Sequence, residues 1–277
     1  MAVHAPSSWI IFAPVISQGA EESGMNRMYE SDEAVAQKAV GLLELTSLNA
    51  DDTAERIVAL CERALTPVGN VAAVCVLPRF AGLARRTLDT LLAREIKVVA
   101  AVNFPNGGAL ISTVESQTHA AMLAGADEID LVYPFHAQLG GDKTVGGEMI
   151  AACKAKCGTR GRLTVTLETG VLRDPQIIHQ VCRTAIREGA SFLKTSTGKQ
   201  GISATPQAAR ILIEAIAEMG AQVGFKASGS MRTLREARIY MDVVQNRFGP
   251  LWLEPGKVRL GAASLLDDLL THLGVRL

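Results

Sequence analysis

The chain has 277 residues, 48% of them apolar, and its 28 basic and 28 acidic side chains cancel to a formal charge of zero. That length accommodates one large α/β domain, and the even charge balance argues against a nucleic-acid partner. Five cysteines, an odd number without zinc-finger spacing, fit a reducing cytoplasmic setting better than a disulfide framework.

The first 30 residues read as an N-terminal extension. They contain "SSWIIFAPVI", too short for the roughly 20 residues that span a bilayer and not preceded by the basic residues of a signal peptide. No membrane association is expected. From there to residue 277 short Val/Ile/Leu-rich runs alternate with segments of helical period. The strand-like runs are Leu42–Thr46, Val71–Leu77, Lys97–Asn103, Glu128–Tyr133, Leu163–Thr169, Ser191–Ser196, Gln222–Ala227 and Val258–Ala263. Nearly continuous apolar runs of this kind suit parallel strands buried on both faces.

Between the strands, "DDTAERIVALCERAL" places Ile57, Leu60, Cys61 and Leu65 on one helical face. "TPQAARILIEAIAEMG" opens on Thr205 as a cap with Pro206 in the first turn, and stops at Gly220. Cys153 and Cys157 share a helical face and read as packing residues. Eight strands alternating with helices predict a TIM (β/α)8 barrel as the single domain, 31–277. An open dinucleotide-binding sheet would favour a G-x-G-x-x-G turn after the first strand, and "LLELTSLNADDT" has none.

In a TIM barrel the chemistry sits at the C-terminal ends of the strands. Three charged residues are placed there: Asp130 in the fourth strand, Lys194 in the sixth and Lys226 in the seventh. A single lysine near a strand end usually carries its charge out to solvent, but two lysines and an aspartate on strands of one barrel suggest a site. Two ammonium groups on neighbouring strands would repel, so one amine is expected to be neutral and able to form a Schiff base with a carbonyl. Asp130 would then move protons. Residue spacing alone leaves open which lysine is the nucleophile.

The loops beyond strands six, seven and eight, "STGK", "SGSMRT" and "GAASLL", are built from small residues that leave backbone N–H groups free for an anion. A helix starting at Ser264 would add its positive end. The five histidines are scattered, which argues against a metal-dependent mechanism.

The motifs "FLKTSTGK", "GFKASGSMRT", "ADEIDLVYP", "LTSLNADDT" and "TPVGNVAAVCVLPRF" resemble, in the same order, those of the class I deoxyribose-phosphate aldolases. The resemblance runs from about Leu42 to Leu270. It implies reversible, metal- and cofactor-free cleavage of 2-deoxy-D-ribose 5-phosphate to D-glyceraldehyde 3-phosphate and acetaldehyde, in deoxyribonucleotide catabolism. By it, Lys194 forms the Schiff base, Lys226 perturbs it and assists proton transfer, and Asp130 donates and accepts protons. Glu44 and Thr46 would support them. Thr197, Gly198, Lys199, Gly229, Ser230, Gly261 and Ser264 would hold the phosphate. Glu44 stands where the family pattern commonly has aspartate, and Ser230 where it has glycine. The resemblance also suggests a homodimer. The alternative is a paralogue that binds a sugar phosphate without catalysis or acts on a different substrate.

Overall fold

Eight short strands close on themselves. In a computed structural model describing residues 31–220, 222–229 and 231–275, they are β1 (Leu43–Ser47), β2 (Ala73–Val76), β3 (Lys97–Val102), β4 (Glu128–Val132), β5 (Arg162–Thr166), β6 (Phe192–Lys194), β7 (Gly224–Ser228) and β8 (Val258–Ala262). All pair in parallel in chain order, and β8 returns to β1, giving the closed barrel that the alternating pattern predicted. The N-terminal extension and Ser230 lie outside the described residues.

The helices are α1 (Asp32–Leu42), α2 (Ala54–Arg63), α3 (Ala81–Thr90), α4 (Ile111–Leu123), α5 (Phe135–Leu139) and α6 (Val145–Cys157). They continue with α7 (Thr169–Leu172), α8 (Pro175–Arg187), α9 (Pro206–Glu218), α10 (Leu234–Phe248) and α11 (Leu265–His272). Their starts are fixed by local chemistry. The Thr205 hydroxyl accepts from the Ala208 N–H at 3.1 Å, with Pro206 next in the chain. Asp174 caps α8 in the same way ahead of Pro175, and Thr233 with Glu236 forms a reciprocal capping box on α10.

The structure departs from the expected elements in three places. Leu42 ends α1 instead of opening a strand, because α1 runs straight into β1. The strand expected to reach Thr169 stops at Thr166: Glu168 takes a left-handed conformation (φ 59°, ψ 59°) and α7 starts immediately after it. β6 is only three residues long, and Thr195 beyond it hydrogen-bonds Ser228 in both directions, its hydroxyl donating to the carbonyl and accepting from the N–H.

The core has two parts. A large shell packs the outer faces of the strands against the helices, and a small cluster of Leu48, Ala73, Cys75, Val99 and Ala101 fills the barrel beside β2 and β3. Apart from Phe192, the rest of the lumen is largely polar. Phe192 projects into it over Gly224, where an added Cβ would fall 2.2 Å from the ring and 2.8 Å from the Lys257 carbonyl. Gly224→Ala should therefore destabilise the fold by about 1–3 kcal/mol through overpacking. The companion change Phe192→Leu should recover part of that loss, as read by urea unfolding.

Candidate active site

Strand register places the two lysines. Lys194 and Lys226 are direct partners across β6 and β7, and Lys226 is in turn the partner of Arg259 on β8. Neighbours in register on parallel strands project to the same side, so three cations enter the lumen side by side. Opposite them β4 supplies Glu128 and Asp130, two residues apart and thus on one face, while β1 supplies Glu44.

The charges meet across the barrel. Lys194 Nζ lies 2.6 Å from Asp130, whose other oxygen accepts from the Thr166 hydroxyl at 2.6 Å. Lys226 Nζ donates to Glu44 at 2.8 Å and sits 3.7 Å from Glu128. Arg259 completes the set, 3.2 Å from Glu128 and 3.7 Å from Glu44. All six side chains are buried. Because β1 and β7, or β4 and β8, are not sheet neighbours, these pairs can form only through the lumen.

This arrangement corrects one expectation. Mutual repulsion was expected to leave one amine neutral, but each lysine has its own carboxylate. Burial works to lower the Lys194 pKa, yet the charge and hydrogen bond of Asp130, together with other groups nearby including Glu44, outweigh it and hold the group above the ordinary lysine value. Burial likewise works to raise the Asp130 carboxyl. The ammonium groups of Lys194 and Lys226, with the hydrogen bonds from Lys194 and Thr166, keep it below the usual aspartate value. The resting pair is an ammonium and a carboxylate in a short charge-assisted hydrogen bond. A proton can pass along that bond to free the amine.

Above the pair, at the C-terminal ends of the strands, lies a cavity of about 220 Å³. Of the residues singled out from sequence, Lys194, Thr46, Thr197, Gly198, Lys199, Gly229, Gly261 and Ser264 line it. Asp130, Lys226 and Glu44 do not. They lie beneath it, so Glu44 serves as the counter-ion of Lys226 and Arg259 and is not among the cavity-lining side chains. Gly198 and Gly229 both have positive φ and approach closely, a Cβ on Gly198 falling 3.7 Å from the Gly229 Cα. Ser264 is the residue before α11, as expected.

Several participants were not anticipated. Asn49 and Arg232 also line the cavity, and Asn49 accepts from Lys199 Nζ at 3.0 Å, joining the loops after β1 and β6. Glu128 and Arg259 complete the network below. Arg259 gave the same sequence signal as Lys194, a basic residue inside an apolar run, and Glu128 stands two positions before Asp130. Glu168 holds the loop after β6 from underneath, accepting from the Thr197 N–H at 3.0 Å and from its hydroxyl at 2.5 Å.

Glu44, Cys75 and Asp130 bring ligand atoms within 4.8 Å of one another, the one set among the described residues with metal-like spacing. Both carboxylates are already bound to ammonium groups, and burial pushes the Cys75 thiol well above its ordinary value. A divalent cation there would have to displace two lysines and ionise a thiol, so these donors suit proton chemistry better than metal binding. No helix among the described residues is long and apolar enough to cross a membrane.

The family model described as DeoC/LacD family aldolase matches residues 32–269, from the first helix into the last. The chain belongs to this aldolase family. A candidate deoxyribose-phosphate aldolase from Toxoplasma gondii ME49, solved in its apo form, superposes with a TM-score of 0.80 at 25% identity, covering 88% of this chain and 98% of that one. A candidate deoxyribose-phosphate aldolase from Coccidioides immitis gives 0.74 at 24%, covering 85% and 86%. The tetrameric deoxyribose phosphate aldolase of Aeropyrum pernix gives 0.70 at 22%, covering 87% and 92%. The last two likenesses speak to the fold.

Burial raises the Glu168 carboxyl above the ordinary glutamate value, against the pull of the two Thr197 donors. An acid whose folded pKa is raised favours the folded state most below its unfolded pKa, and loses that contribution as pH climbs toward the folded value. Glu168→Gln keeps an acceptor for Thr197 and removes this titration. Its melting temperature relative to wild type should therefore be higher at pH 8 than at pH 4, in paired thermal scans.

Proposed function

We propose that this protein is a Schiff-base aldolase that reversibly cleaves 2-deoxy-D-ribose 5-phosphate to D-glyceraldehyde 3-phosphate and acetaldehyde. The observation that carries the reading is Lys194, a buried lysine at the floor of the C-terminal cavity, 2.6 Å from the carboxylate able to take its proton. Support comes from the family, from the 25% identical T. gondii relative, and from the small-residue loops around the rim.

Chemically, Lys194 passes a proton to Asp130, and the freed amine adds to the C1 carbonyl of the open-chain sugar. The carbinolamine loses water to give an iminium. Removal of the C3 hydroxyl proton then breaks the C2–C3 bond. Its electron pair flows into the iminium, releasing glyceraldehyde 3-phosphate and leaving an enamine. Protonation at carbon and hydrolysis release acetaldehyde and restore Lys194. The iminium is the electron sink, so the route calls for no metal or organic cofactor.

Asp130 is the group placed to relay these protons. Lys226 supplies fixed positive charge next to the reacting amine, anchored by Glu44 and Glu128. The phosphate would sit against the backbone at Gly198, Gly229, Gly261 and Ser264, at the start of α11, with Lys199 and Arg232 at the mouth. Thr46 faces the same cavity as a polar contact for the sugar. Breakdown of deoxyribonucleotides in the cytoplasm is the setting that fits this reaction, and a homodimer is the assembly proposed for it.

Borohydride added with acetaldehyde should leave a reduced two-carbon adduct on Lys194, located by peptide mass spectrometry. Lys194→Ala should lose both adduct and cleavage, by at least a thousandfold; full turnover in this variant would refute the assignment. Binding of the sugar phosphate without adduct or product would instead indicate a non-catalytic paralogue. Ser264→Asp, which sets a carboxylate at the proposed phosphate position, should raise KM for the phosphorylated sugar at least tenfold while sparing unphosphorylated deoxyribose. Equal effects on both would remove the phosphate from that end of the barrel.

A further inference from the structure

A second cavity lies at the opposite end of the barrel from Lys194. It has a volume of about 730 Å³ and is lined by residues at the N-terminal ends of the strands, among them Lys97, Arg160, Arg162 and Arg259. A cavity of this size commonly accommodates a metabolite. Nothing in the proposed cleavage uses it.

Its charge is unevenly satisfied. The acids on its wall are already engaged. Asp127 takes a hydrogen bond from the Val98 N–H at 2.8 Å and pairs with Arg85 at 3.2 Å, and Glu95 accepts from Asn70 at 2.5 Å. Glu128 is held from within by Arg259 and Lys226.

Apart from Arg259, the cations are not matched in this way. Among the described residues no carboxylate lies within ion-pair distance (4.0 Å) of Lys97, Arg160 or Arg162. Arg162 is half-buried, donating to the Gly256 carbonyl at 2.7 Å and lying 4.4 Å over the Phe192 ring. A carbonyl and a ring face stabilise a guanidinium but do not neutralise it. Burial accordingly works against its charged form. Glu128 and Glu254 act on Arg162 only from beyond ion-pair distance. A partly desolvated arginine with no carboxylate in direct contact among the described residues, beside a lysine and a second arginine on a common wall, is the electrostatic complement of a small anion carrying more than one charge.

We propose that this N-terminal cavity is a second ligand site, separate from the catalytic one. Its ligand is a small multivalent anion, phosphate-bearing or polycarboxylate, held by Arg162 with Arg160 and Lys97. The reading does not depend on what reaction the other face performs.

Isothermal titration of the full chain with pyrophosphate, and separately with citrate, tests it. The wild-type protein should bind at least one of them. Arg160→Gln combined with Arg162→Gln should weaken that binding at least tenfold, whereas Ser264→Asp, at the opposite face, should leave it in place. Tighter pyrophosphate than citrate would assign the site to phosphate-bearing ligands, and the reverse to polycarboxylates. If the double variant does not fold, Lys97→Gln with Arg160→Gln, both at solvent-reaching positions, should produce the same weakening. Unchanged affinity for both anions in folded N-terminal variants, loss only in Ser264→Asp, or no wild-type binding of either anion would overturn the proposal.

Discussion

Six ionised side chains share the inside of one barrel: Asp130 with Lys194, and Glu44, Glu128 and Arg259 around Lys226. Removing such groups from water costs several kcal/mol per ion, and only close opposite charges and hydrogen bonds offset it. Most features of the site follow from that constraint. The lysines can lie deep because carboxylates on strands across the lumen reach them. Lys194 can stay buried, and in the proposed reaction give up its proton, because its partner is an aspartate at a 2.6 Å contact. The neighbouring pair, with its glutamates and arginine, holds charge in place. One lysine is thus coupled to a group that can relay protons, and the other is fixed in a network that keeps it still.

Much of this was legible in the residues. A lysine interrupting an apolar run is a strong signal, and Lys194, Lys226 and Asp130 were each visible that way. Barrel closure followed from the alternation of strands and helices. Cross-lumen pairing was not legible, because Glu44 and Lys226 are 182 residues apart and nothing local marks them as partners. The expected neutral amine came from counting cations on neighbouring strands without the acids opposite. Arg259 interrupts an apolar run as Lys194 does, but it lies near the start of its strand, away from the C-terminal ends where the chemistry of this fold sits. α7 was missed because "LTVTLET" continues the strand pattern, while the backbone turns left-handed at Glu168.

The rim follows a second rule, that loops of small residues, such as those proposed to hold the phosphate, need support from below. Glu168 accepts two hydrogen bonds from Thr197, Thr195 binds Ser228, and Lys199 reaches Asn49. These contacts tie the loops after β1, β6 and β7 to one another. Small residues that would otherwise be free to wander thereby become a cradle of defined shape.

The cross-lumen pairs also divide the chain into complementary halves. The segment from β1 to β4 contributes Glu44, Glu128 and Asp130 to the network, all acidic, and the segment from β5 to β8 contributes Lys194, Lys226 and Arg259, all basic. Neither half could dehydrate its inner face alone, because like charges would be driven together with nothing to balance them. Closing the lumen therefore costs least when both halves bring their charges together.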